Sequence, residues 1–245
     1  RVDSTCYDIK IAKEGTSPSG SEKVNMENLP EIISAVKKEG KAIVAPKRMR
    51  VTYTLTVDTN AVPAGKIIRC WLPYPRQDQA RQQDVKFISA SEPQYTFSSP
   101  ECRHSTLYME KRAVEGEPTV FSETFEFTAN GEWHNLKPED VQPYDTTTAL
   151  YKEYTAEREK HIVFSPRLRE LAAKLTAGET NPYLKAKRIF RWVNDNFPWA
   201  SAREYSTIEN IPEYVLDNRH GDCGQVSLLF ITLCRISGIP AHFQS

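Results

Sequence analysis

No stretch of this sequence approaches the ~18 consecutive apolar residues that a membrane-spanning helix needs, so no span is expected. Neither sign of charge is in excess: 32 Lys and Arg face 32 Asp and Glu, and the basic residues are scattered rather than bunched. Nothing in that balance attracts nucleic acid or acidic lipid, and neither is an expected partner. Cysteine is sparse as well. Cys6, Cys70, Cys102, Cys223 and Cys234 form an odd set without a C-x-x-C pair, which argues against a zinc site and against a disulfide framework. A single bridge among Cys6, Cys70 and Cys102 stays open. A loop of the D-x-D-x-D-G type is lacking too, so no calcium site is expected, and no cofactor is indicated. The first residue is Arg1 rather than methionine. Removal of upstream sequence, for instance a cleaved export signal, fits that start and implies an extracytoplasmic setting, periplasmic or secreted.

What is present suits a soluble globular chain. Apolar residues make up 39% and charged residues 26% of 245, enough to build two ordinary domains. Residues 1–47 divide into a polar arm to about residue 24 and a short helix. In LPEIISAVKKEG, Pro30 suits a first turn, two lysines suit a last turn and Gly40 a terminator. Residues 48–130 change period from helical to two. RMRVTYTLTVD alternates Val51, Tyr53, Leu55 and Val57 with Thr52, Thr54 and Thr56, the pattern of a half-buried strand. KIIRCWLP, DVKFISA, STLYMEKRAV and PTVFSETFEF repeat the signal between Pro, Gly, Asn and Asp punctuation. Strands with no helices between them imply an antiparallel sheet or sandwich. Trp71, Tyr74, Phe87, Tyr108, Phe121, Phe125 and Phe127 read as core and cross-strand pairs rather than a ligand box.

Residues 131–164 read as a connector, and residues 165–245 as helical. Ser165 before Pro166 is an N-cap with proline at the first helical position, and Leu168, Leu171, Ala172 and Leu175 share one face. NPYLKAKRIFRWVNDNFPW forms a second helix with Leu184, Ile189, Trp192 and Val193 inward, stopped by Pro198. CGQVSLLFITLCRIS is apolar nearly all round and should be the central buried helix, closed by Gly238 and Pro240 before a strand from about Ala241.

Cys223 lies where the polar loop DNRHGD becomes that buried helix. Unpaired amides and the positive end of the dipole favour thiolate over thiol there and can hold a developing oxyanion. Cys234, in an apolar stretch of the same helix, reads as packing. Local physics leaves both an inert and a catalytic reading of Cys223 open.

The stretch from about Ser165 to Ala241 resembles the first half of the transglutaminase-like core. The resemblance rests on S-P-x-L-x-x-L-A, then T-N-P-Y-x-K-A-x-x-I-F-x-W-V, then G-D-C-G-Q-V-S-L-L-F-I-T-L-C-R-I-S-G-I-P-A, in that order. The strand-rich region, with its W-L-P-x-P segment from Trp71 to Pro75, resembles the β-domain that precedes the core in bacterial members. The resemblance implies an α+β fold, an N-terminal antiparallel sheet or sandwich followed by the helical first half of a papain-like core. It also implies that Cys223 is the nucleophile of a Cys-His-Asp triad working through a thioester on a protein or peptide, cell-wall peptide included, more as a thiol protease or other hydrolase than as a cross-linking acyltransferase. The family's histidine and aspartate follow a few dozen residues after the cysteine helix, so the chain as given is expected to stop short of them and to show little acyl transfer by itself. His242 falls on the first strand after the helix, His220 on the loop before Cys223, and His104, His134 and His161 outside the core; none is assigned as base. The alternatives are a non-catalytic binding or scaffold module on the same core, and a sandwich plus helical bundle with no site.

Overall fold

The computed structural model describes residues 20–243 apart from Arg103 and Ala202, with side chains described from Asn28 onward. The greater part of the expected polar arm, and Cys6 with it, lies outside the described residues. One compact unit ends at His134 and a second begins at Asn135.

The first unit opens with α1 (Gly20–Glu39), closed by Gly40 at φ 68°. The helix runs further back than expected, so Pro30 sits inside it rather than in its first turn. A proline there costs one backbone bond, and the flanking turns are long enough to carry the helix across it. Six strands follow: β1 (Ile43–Val57), β2 (Ile67–Pro73), β3 (Gln82–Ala90), β4 (Tyr95–Phe97), β5 (Thr106–Arg112) and β6 (Thr119–Glu132). They form two three-stranded antiparallel sheets, ordered β1-β6-β3 and β2-β5-β4. The run RMRVTYTLTVD forms the strand expected of it, within β1, which pairs with β6 from Val57 opposite Thr119 to Ile43 opposite Glu132 with one bulge between Val44 and Lys47. The expected half-buried face is not realised, since Tyr53 and Leu55 are exposed and only Val51 and Val57 are half-buried. Leu107, Met109 and Phe121 are wholly buried, with Cys70 and Leu72 beside them. The aromatics sit in cross-strand and core contacts, as in Tyr74 with Phe125 (5.3 Å between ring centroids) and Trp71 with Tyr108 (4.9 Å). Cys70 and Cys102 both carry free thiols, so no bridge joins them.

In the second unit a helix, α2 (Ala149–Thr155), lies within the segment read as connector. Then come α3 (Pro166–Leu175), α4 (Pro182–Asn196), α5 (Ile211–Asn218) and α6 (Cys223–Ile236). Ser165 caps α3 by accepting the Leu168 amide, and Asn181 caps α4 by accepting those of Tyr183 and Leu184. α6 packs against α2, α3, α4 and α5, and buries Leu228, Leu229, Ile231, Leu233 and Cys234. Each fully buried Leu or Ile contributes about 1.5–3 kcal/mol relative to exposure, which makes this helix the centre of the unit.

Two further expectations are corrected. The loop DNRHGD is shorter than it reads, because Asp217 and Asn218 finish α5, and Arg219 closes that helix in the left-handed region at φ 59°. No strand begins at Ala241 among the described residues. Its amide donates to the Tyr154 carbonyl and its own carbonyl accepts Nε of the buried Arg235, whose Nη1 donates to Ala156. Those bonds hold the segment on α2 and α6 and take up the groups a ladder would use.

Glu123 is the anomaly of the first unit. It is only 1% exposed, on the inward face of β6 between Phe121 and Phe125, and neither carboxylate oxygen finds a partner among the described residues. Burial pushes its carboxyl up to about 7 from an ordinary 4.5, and its charge in turn raises the Cys70 thiol and the Tyr74 hydroxyl, after burial, which raises both more. Because the folded carboxyl holds its proton to higher pH than the unfolded one, folding binds a proton between those values, and stability falls as pH rises from 4.5 through 7. Urea unfolding of the wild type and of Glu123→Gln is expected to show the variant gaining about 2–3 kcal/mol relative to wild type between pH 5 and pH 8. A constant difference across that range would mean that the carboxyl is already partnered or solvated.

Candidate active site

The start of α6 is built around one carboxylate. Asp222, extended at φ −76° and ψ 178°, is its N-cap, and Oδ1 accepts the Gln225 amide at 2.8 Å. The same oxygen accepts the hydroxyl of Tyr205, which lies in a short 3-10 turn (Tyr205–Thr207) ahead of α5. Cys223 is the first residue of the helix and is exposed. The Asp222 carbonyl takes the Val226 amide, whereas those of Cys223 and Gly224 find no acceptor among the described residues. A thiol and two open amides therefore share one helical turn, the local requirement for holding an oxyanion next to a sulfur nucleophile.

The segment before α5 braces this turn. Trp199 forms a parallel bridge with Gly221, the Ala200 amide donates to the Gly221 carbonyl at 3.0 Å, and Gln225 Nε2 donates to the Arg203 carbonyl at 3.1 Å. Gln225 is wholly buried. Both glycines lie in crowded places. A side chain on Gly221 would press on Gln225 and Val215 at 3.1–3.2 Å, and one on Gly224 would collide with the Tyr205 hydroxyl.

The histidines are not held at the thiol. His220 places Nδ1 2.8 Å from the Asn218 carbonyl, and since a carbonyl only accepts, that nitrogen carries the hydrogen and Nε2 is left as acceptor. His242 stacks on Tyr154 at 4.4 Å rather than lying on a strand. His134 pairs with Glu132 at 2.8 Å in the first unit, where His104 is also found. His161 is pushed down by burial and, less, by Lys160. None of them hydrogen-bonds the Cys223 thiol. An open cleft of about 630 Å³ runs along α5, with Lys160, Arg203, Glu209, Glu213 and Asp217 among its walls. Cys223 does not line it, but Arg203 belongs to both the cleft and the brace.

Asp222, Gly224, Gln225 and Tyr205 are missing from the sequence reading. Asp222 and Gln225 had a signal, since Asp222-x-x-Gln225 ahead of an apolar run is an N-terminal capping pattern, whereas Gly224 had none. Tyr205 had none, because its partner is 17 positions away.

With the geometry in view, comparison with known proteins agrees on the fold. Residues 169–245 match the model of the Transglutaminase-like superfamily. The crystal structure of a candidate cysteine protease from Cytophaga hutchinsonii superposes with a TM-score of 0.60 at 16% identity, covering 81% of this chain and 66% of that one. This chain thus spans just under two thirds of its neighbour's length. No curated protein matches the chain.

The two thiols of α6 differ sharply in surroundings. Cys234 is 1% exposed and burial pushes it up to about 12, whereas Cys223 is exposed. Brief alkylation by iodoacetamide at pH 8, read peptide by peptide, is expected to label Cys223 at least ~100-fold faster than Cys234. Comparable rates would show that the helix start is not open to solvent.

Proposed function

Taking residues 169–245 as a transglutaminase-like domain, we propose that the protein is a cysteine enzyme that transfers acyl groups or hydrolyses amides through a thioester on Cys223. The observation that carries this reading is the exposed sulfur at the first residue of the most buried helix, beside two amides with no acceptor among the described residues. The thiolate attacks a carboxamide or peptide carbonyl and forms a C–S bond while the carbonyl oxygen takes the negative charge against those amides. Collapse breaks the C–N bond, and the amine leaves with a proton from a general acid. Water, or a second amine, then attacks the thioester and returns the thiol. Hydrolysis of protein or peptide is the favoured outcome, cell-wall peptide among the candidates, in an extracytoplasmic setting. The name of the Cytophaga neighbour, a candidate cysteine protease, supports the same direction by fold analogy.

The second reading is a binding or scaffold module that keeps the core without the chemistry. It is favoured by one observation, that no histidine of the chain hydrogen-bonds the thiol. In the catalytic reading the thiol's proton must pass to a base, and none of this chain's histidines is in contact with the sulfur, so the chain alone is expected to accept acyl groups but to turn over amides slowly.

An activated ester separates these outcomes, because its leaving group needs no proton. Incubated with a p-nitrophenyl acyl ester, the chain is expected to gain one acyl group on the Cys223 peptide by mass spectrometry, with the adduct lost in Cys223→Ala. Acylation spread over other residues, or unchanged by the substitution, would remove the enzymatic reading. Fast amide turnover abolished by Cys223→Ala would instead identify a base within the chain, His220 first.

A further inference from the structure

We propose that Tyr205 is a positioning residue for Cys223: its hydroxyl donates to the capping carboxylate of Asp222 and holds that charge on the capping side of the turn, so the thiolate next door is opposed less by its own cap. The inference rests on Cys223 being the reacting thiol.

Three observations carry it. The Tyr205 hydroxyl and the Gln225 amide converge on a single oxygen, Oδ1 of Asp222. Two donors on one oxygen spread its charge and fix the rotamer of a side chain whose backbone leads directly into Cys223. The phenol also occupies the space above Gly224, so the residue after the nucleophile has no room for a side chain while Tyr205 is in place. Finally, Tyr205 is only partly exposed, and its acidity is suppressed first by burial, then by the hydrogen bond and charge of Asp222, and then by charge at Cys223. The phenol senses both groups and stays a donor across the working pH range.

The other charged groups nearby are turned elsewhere. Arg203 Nε donates to Thr207 Oγ1 at 3.1 Å, Glu204 accepts from Ser206, Glu213 of α5 is engaged by Ser165 and Arg167, and His220 faces Asn218. Among the described residues, the Asp222 carboxylate is therefore met by Tyr205 and by the Gln225 amide alone.

The test is the pH dependence of iodoacetamide alkylation on the Cys223 peptide from pH 5 to 10, which reads the thiol itself and so stands apart from whether the chain turns over any substrate. Tyr205→Phe keeps the ring and deletes the donor. Its profile is expected to move to higher pH by about half a unit to one unit, so that labelling at pH 7 falls about three- to ten-fold while the alkaline plateau is unchanged. Asp222→Asn is expected to move the profile the other way, and in the double variant the Tyr205→Phe effect should vanish. A superimposable Tyr205→Phe profile, or a loss equal at every pH including the plateau, overturns the proposal. Should Tyr205→Phe fail to fold, Asp222→Asn decides alone: an acid-side shift supports the inference and an unmoved profile overturns it.

Discussion

The carboxylate of Asp222 sets the geometry on which the candidate site depends. By capping α6 through Gln225, it decides where the helix starts, and therefore that Cys223 is its first residue and exposed rather than a buried residue of a later turn. A start one turn later would leave Cys223 in the polar loop without the helix dipole, and a start one turn earlier would satisfy the amides that now stand open. The same oxygen receives Tyr205, which joins the segment ahead of α5 to the helix mouth, and Gln225 repeats that connection through Arg203.

That arrangement holds because the rest of α6 is fixed by burial. Four helices pack around it, and its far end is anchored by Arg235, whose guanidinium reaches the carbonyls of Ala156 and Ala241. Carbonyls that hold a buried guanidinium make charge-assisted bonds, and removing those bonds would leave an unsatisfied charge in the core. The polar mouth and the buried shaft thus act together, the shaft supplying rigidity and the mouth exposure. The first unit departs from this pattern at Glu123, a carboxyl placed among aromatic and aliphatic neighbours without a partner among the described residues.

Much of the fold was legible in the sequence because the periodicities are strong. The run from Val51 to Val57 forms a strand as its period of two implies, Ser165 caps the helix it precedes, and Gly238 ends α6 at φ 76°. The misreadings came from competition with tertiary partners. Asp217 and Asn218 read as loop because polar residues at a helix end look like the turn that follows, yet α5 buries Ile211 and Val215 and carries them along. Ala241 read as a strand, but a strand needs a ladder, and its backbone groups had already been taken by Tyr154 and Arg235.

The sequence by itself determined the order of sheet then helices, the position of Cys223 at the mouth of an apolar helix, and the contrast with Cys234, because all three are carried by residues adjacent along the chain. Only the tertiary structure decided that Tyr205 reaches Asp222, that Gly224 lies in a crowded place, that Glu123 faces inward alone, and that His220 and His242 turn to other partners. Local pattern specifies which face a residue takes, but which distant group meets it there depends on how the elements pack, and packing is settled by burial summed over the whole unit.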